Sequence, residues 1–132
     1  RVKEFLDQQV ARAASQGYVT TLLGRIREVR EILEENVRLR RLGERITLNT
    51  PIQGSAADII KLAMLRIHER LRREGLGSKL VLQVHDELLL DVPPGEEVEA
   101  QEVVREEMEG AFPLRVPLKV EISMGPTWYD AK

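Results

Sequence analysis

The chain contains no cysteine. That excludes a disulfide framework, a thiolate metal site and a Cys nucleophile. It contains no run of about 18 apolar residues, so no helix long enough to span a bilayer is expected. The first residues, Arg1-Val2-Lys3-Glu4-Phe5, lack the apolar core of a signal peptide, and they lack an initiator Met, which suits a fragment or a processed chain. No Gly-x-Ser-x-Gly, phosphate-loop or dinucleotide fingerprint occurs, and Gly75 with Gly77 is too sparse to make one. His68 has no histidine or glutamate partner at zinc-ligand spacing, so a protein-built zinc site is not expected. Internal repeats and low-complexity linkers are also missing.

What remains is a charged, moderately apolar chain: 132 residues, 42% hydrophobic and 32% charged, with a net charge of −2. That profile fits one globular domain rather than a disordered segment. The small net charge hides an asymmetry: residues 1–50 carry +3, residues 51–90 carry +1, and residues 91–132 carry −6. The first ninety residues could therefore meet an anionic partner while the acidic remainder faces elsewhere.

Apolar spacing predicts a helix over 1–16, stopped by Gly17, then a short extended stretch at 18–23. Ile26, Val29, Ile32, Leu33, Val37 and Leu42 recur at helical intervals, which predicts an amphipathic helix over 25–42. The arginines there (Arg25, Arg27, Arg38, Arg40, Arg41) read first as a solvated face, and compatibly with that some could touch phosphates. Gly43 to Gly54 reads as a break, with Asn49-Thr50-Pro51 as the entry to a long helix over roughly 52–73. Leu80–Val84 and Leu88–Val92 read as a hairpin whose tip is His85-Asp86-Glu87. An acidic helix over 96–109 and an alternating strand over 118–124 complete the pattern. The expected fold is α/β (α+β): a small antiparallel sheet, hairpin 80–92 plus strand 118–124, packed against helices.

His85-Asp86-Glu87 reads either as an ordinary polar hairpin tip or as a rigid carboxylate site for a hard divalent cation. Asn49 and Gln53 read either as helix-entry caps or as donors to the acceptors that every base pair shows in the minor groove.

Four segments decide between these alternatives. Gln83-Val84-His85-Asp86-Glu87 resembles motif C of the family A (DNA polymerase I-like) DNA polymerases. Asn49 to Lys61 resembles the long palm helix before it, Gly17 to Arg25 a fingers segment, and Gly125 to Asp130 the family's C-terminus. The resemblance covers essentially the whole chain in order. It implies a fingers remnant at 1–48 and a palm portion at 49–132 with the motif C hairpin. Asp86 resembles the aspartate that binds catalytic Mg2+, and Glu87 is its acidic neighbour. His85 and Gln53 resemble residues on the minor-groove side of the primer terminus, and Arg45 and Asn49 resemble template or duplex contacts. The implied reaction is template-directed nucleotidyl transfer to a primer 3′-hydroxyl by a two-metal mechanism, in DNA replication and repair.

Two features depart from the family pattern. Glu28 and Arg30 stand where an aromatic and a proline usually follow the arginine cluster, so a helix-compatible connector is expected there. No counterpart of motif A, with the second metal-binding aspartate, or of the nucleotide-binding fingers helix is present. The implied partners are primer–template DNA, dNTP and the missing N-terminal part of the polymerase, in a bacterial, nucleoid-associated cytoplasmic setting, with no membrane. Alone, the chain is expected to be inactive and, with sheet edges uncovered, prone to self-association. The competing reading is a non-catalytic duplex DNA-binding module or an engineered palm-derived scaffold.

Overall fold

The computed structural model describes residues 1–131 and divides into two compact units, 1–58 and 59–132. The chain forms the expected mixed fold of helices and small antiparallel sheet, with two sheets of two strands each in place of one sheet that included 118–124. No helix among the described residues is long and apolar enough to cross a membrane.

In the first unit, α1 runs Val2–Gln16 and ends at Gly17 in the left-handed conformation (φ 82°), as the glycine suggested. β1 (Tyr18–Thr20) pairs antiparallel with β2 (Ile26–Glu28), Tyr18 facing Glu28 and Thr20 facing Ile26. A single 3-10 turn, Arg30–Leu33, leads to α2 (Val37–Asn49). The core is small: Ala13, Val19, Val29 and Ile32 are buried, with Val10 and Ile46 packed against them.

The helix expected over 25–42 is therefore not one element. Val29 and Ile32 are buried, but Ile26, Leu33 and Val37 of the same apparent stripe are 61%, 65% and 51% exposed. Evenly spaced apolar residues cannot tell a helix from a strand followed by a turn. The decisive signal is Asn36, whose side-chain oxygen accepts from the N–H groups of Arg38 (2.9 Å) and Leu39 (3.4 Å) and so starts α2 there. The connector with Glu28 and Arg30 is likewise a strand and a 3-10 turn, not helix.

The break expected over Gly43 to Gly54 is helical throughout. α2 passes through Gly43, a π-helical turn covers Thr50–Gly54, and α3 follows at Ser55–Arg73. Gly43 is buried because α2 crosses the 3-10 turn closely: a Cβ there would lie 2.5 Å from the Ile32 nitrogen and 2.8 Å from the Glu31 carbonyl carbon. Pro51 is absorbed by the π turn, where wider i→i+5 bonding tolerates a residue without an N–H.

In the second unit, β3 (Lys79–Val84) and β4 (Glu87–Asp91) form an antiparallel hairpin, with an irregularity in register between Leu80 and Leu82. α4 is Glu97–Glu109. Ile67 and Leu71 of α3 and Val103 of α4 are buried together, and Leu76, Leu80, Leu88, Leu90, Val104 and Met108 pack on them. Arg70 is the polar tie between the two helices. Its Nε donates to Glu74 (2.7 Å) and its Nη1 pairs with Glu106 and Glu107. Hydrogen bonds to Glu74 first, then Glu106, hold the guanidinium proton more tightly than usual. Glu96 clamps the 77–78 turn, accepting from the Gly77 N–H (2.7 Å), the Ser78 N–H (2.8 Å) and the Ser78 hydroxyl (2.7 Å).

The strand expected over 118–124 is not formed, although its alternation is real: Leu118, Val120 and Ile122 are half-buried and Lys119 and Glu121 exposed. Among the described residues no strand pairs with it to make a ladder. Its backbone instead meets α4 side chains, the Val120 N–H donating to Glu109 (3.0 Å) and the Val120 carbonyl accepting from Arg105 (3.1 Å). A period of two reports which face is covered, not whether a partner strand exists.

Two outcomes follow. Gly43→Ala adds helix propensity worth about 1 kcal/mol, yet it drives a methyl into backbone. The net expected is a loss of about 1–3 kcal/mol in thermal unfolding of the chain, and a stabilised variant would contradict the close crossing. The Glu96 carboxyl is held below its ordinary 4.5, chiefly by the Gly77 N–H and then the Ser78 hydroxyl. Its contribution is therefore present above that ordinary value and lost as pH falls through the lower folded-state value. Melting temperature recorded from pH 6 to 3 should fall less steeply for Glu96→Gln, which has no carboxylate to protonate, than for the parent chain.

Candidate nucleic-acid interface

Arg45, Asn49 and Gln53 follow one another at intervals of four along α2 and the π turn, and all three are exposed. In a regular α-helix such a row winds about 40° round the axis every four residues. The π turn takes more residues per revolution and reduces that drift. The three side chains thus line one cavity of about 400 Å³, together with Arg27, Leu42, Ile46, Thr50 and Gly54. Two arginines and two amide residues line it beside the apolar Leu42 and Ile46. Guanidinium suits phosphate, and amides offer donors to base-edge acceptors. Asn49 stands at the N-cap of the π turn, yet among the described residues neither its side chain nor that of Gln53 makes a hydrogen bond, so both are left for another partner.

The sequence offers Arg27 as one of five arginines that could touch phosphate, on an expected helix, and does not single it out; the structure puts it on β2. Its place on β2, opposite Val19, is what turns it to the cavity. Only the pairing of β1 with β2 could reveal this.

The β1–β2 connection is fastened to the start of α3. Thr21 is buried and its hydroxyl donates to Asp58 Oδ2 at 2.6 Å. The Arg25 guanidinium forms an ion pair with Asp58 Oδ1, although no donor is aligned for a hydrogen bond on that oxygen. The Leu22 N–H donates to Ser55 Oγ at 2.8 Å, and that hydroxyl donates in turn to the Pro51 carbonyl. Gly54 leaves room for this approach, since a Cβ there would sit 2.8 Å from the Thr21 methyl.

His85, Asp86 and Glu87 belong to the second unit. The hairpin turn is two residues, His85 and Asp86, because Glu87 already pairs with Val84. His85 has φ 55°, and no other non-glycine described residue has positive φ. Glycine is the usual residue at the positive-φ position of a two-residue hairpin turn. Holding an L-residue there costs about 1–2 kcal/mol, the kind of local strain that accumulates at functional positions. Gln83 Nε2 donates to the His85 carbonyl at 3.1 Å and braces the turn.

Asp86 and Glu87 are exposed, and among the described residues neither takes an ion pair or a side-chain hydrogen bond. No group of three or more His, Asp or Glu residues that could hold a metal occurs among the described residues. Magnesium combines one or two carboxylates with waters and substrate phosphates. Two free carboxylates on a braced tip therefore suit part of such a site, not a whole one.

Comparison with known proteins agrees with this chemistry. The family model described as DNA polymerase family A matches residues 1–130. DNA polymerase I of Geobacillus stearothermophilus is 53% identical over 131 residues, which is 99% of this chain and 15% of that protein. DNA polymerase I of Caldicellulosiruptor bescii is 48% identical over 132 residues, 100% of this chain and 16% of that protein. The POL domain of Pol1 from M. smegmatis, solved in complex with DNA primer-template and dNTP, superposes with a TM-score of 0.96 at 46% identity, covering 98% of this chain and 23% of the other. The chain thus spans about one sixth of the length of these curated relatives.

Proposed function

This chain belongs to DNA polymerase family A, and from that premise we propose that it works as part of a DNA-directed DNA polymerase, with residues 1–48 as a fingers remnant and 49–132 as a palm portion. The observation that carries the reading is the cavity on which Arg27, Arg45, Asn49 and Gln53 converge. Guanidinium groups there meet backbone phosphates. Amides donate to minor-groove acceptors that all base pairs share, which lets an enzyme test pair geometry without reading sequence. A polymerase that copies any template needs that kind of contact.

Asp86 is the residue that would hold magnesium, with Glu87 beside it and His85 toward the primer terminus. When bound, the ion supplies charge stabilisation to phosphoryl transfer onto a primer 3′-hydroxyl. The chain's own part is to present a carboxylate on a turn braced by Gln83. The remaining ligands and the dNTP-binding groups come from other parts of the polymerase, so the isolated 132 residues do not polymerise. The same reading places the protein in DNA replication and repair.

In the complete polymerase, Asp86→Ala is expected to lower the rate of single-nucleotide addition by about 10³-fold or more, with primer–template affinity little changed. Rapid-quench extension beside equilibrium binding separates the two. Extension at the parent rate by the Asp86→Ala enzyme would sink the metal-site assignment, and unchanged DNA affinity in an Asn49→Ala, Gln53→Ala double variant would sink the cavity assignment.

A further inference from the structure

We propose that Asp58 is a positioning residue for DNA binding, acting through the β1–β2 connection to set Arg27 in the cavity; this rests on the reading of that cavity as the DNA contact. Asp58 bonds to none of the cavity-lining side chains, and it is almost wholly buried, at 5% exposure. A buried carboxylate is costly unless it is paired and hydrogen-bonded. Its two partners both lie in the connection between β1 and β2. Thr21 donates to one oxygen and Arg25 faces the other.

Those partners are themselves joined. The Arg25 N–H donates to Thr21 Oγ1 at 3.1 Å, the Thr21 N–H donates to the Arg25 carbonyl at 3.0 Å, and the Gly24 N–H donates to the Thr21 carbonyl at 3.0 Å. The Thr21 hydroxyl is thus the centre of the device, accepting from the turn and donating to α3. Only Ile26 separates Arg25 from Arg27. Fixing Arg25 at both its backbone and its guanidinium fixes the start of β2, and with it the direction from which Arg27 reaches the cavity. Ser55 and Gly54 support the same docking, one through the Leu22 N–H and the other by having no Cβ.

The charge of Asp58 makes the proposal testable. Removing a carboxylate raises the net positive charge near the cavity, and by field alone that would tighten binding to DNA. Loss of positioning predicts the opposite. Each phosphate contact contributes about 0.9 to the slope of log affinity against log salt.

The experiment is equilibrium binding of a fluorescent primer–template to the complete polymerase across a salt series. The variants are Arg27→Ala, Asp58→Ala, Thr21→Val, Thr21→Ser and the double Arg27→Ala, Asp58→Ala. Arg27→Ala is expected to weaken binding roughly tenfold and to make the salt slope shallower by about 0.9. Asp58→Ala and Thr21→Val are expected to shift both in the same direction, and the double variant to be no weaker than the poorer single. Thr21→Ser keeps the hydroxyl and should restore most of the affinity. Thr21→Val carries the test should Asp58→Ala not fold. Additive losses, or a parental salt slope in both Asp58→Ala and Thr21→Val while Arg27→Ala is impaired, would overturn the positioning role alone. An unimpaired Arg27→Ala would overturn this inference together with the placement of DNA beside Arg27.

Discussion

Pro51 has no N–H to donate, yet it lies inside a helical run that continues from Val37 to Arg73. The π turn at Thr50–Gly54 is how the backbone reconciles the two. It widens one revolution around the proline, lets Ser55 Oγ take up the Pro51 carbonyl, and hands the chain to α3 without an end. Most of what is chemically distinctive in the first unit is placed by that adjustment. Arg45 and Asn49 come before it, Gln53 within it, and Ser55 and Asp58 just after it. Had the helix ended at the proline, these side chains would not share a face or a cavity.

The second constraint is the close approach of the β1–β2 connection to the same junction. Close approach needs both space and satisfied polar groups. Gly54 supplies the space, and Thr21, Ser55, Asp58 and Arg25 satisfy one another. Removing one partner from such a cluster leaves a buried polar group without its bond, which costs more than the bond itself contributes. The same cluster that buries a carboxylate also orients a strand. Gly43 shows the related rule without polar groups, a glycine inside a helix because the backbone of another turn occupies the place of its Cβ.

The hairpin of the second unit works differently. β3 and β4 are held by their ladder and by a core shared with α3 and α4, and the carboxylates at the tip are left without partners. An unpaired acidic pair on a braced turn, with His85 in a conformation that suits glycine, spends local stability on geometry. Membership of DNA polymerase family A gives that geometry its most economical explanation, and the proposed magnesium role of Asp86 follows from it.

Sequence alone was enough for the helices at 2–16, 55–73 and 97–109 and for the 79–91 hairpin, because their apolar residues hold one period for long enough and are bounded by glycine or proline. Motif resemblance and local chemistry also single out His85, Asp86, Glu87, Arg45, Asn49 and Gln53 as the residues of the proposed site. Sequence alone misjudged 25–54 and 118–124. There the pattern reports burial, but whether a segment becomes strand, turn or helix depends on which distant neighbour offers a hydrogen-bond partner or a close surface. Val29 and Ile32 are buried by α1 and α2 rather than by a helix of their own, and Val120 is bonded by α4 instead of a strand. Arg27 and Asp58 acquire their places only when β1 pairs with β2 and Thr21 meets α3, 37 residues further along the chain. Periodicity is a local property and could be read from the sequence, whereas contacts between residues far apart in sequence exist only in the folded chain, and those contacts decided the cavity.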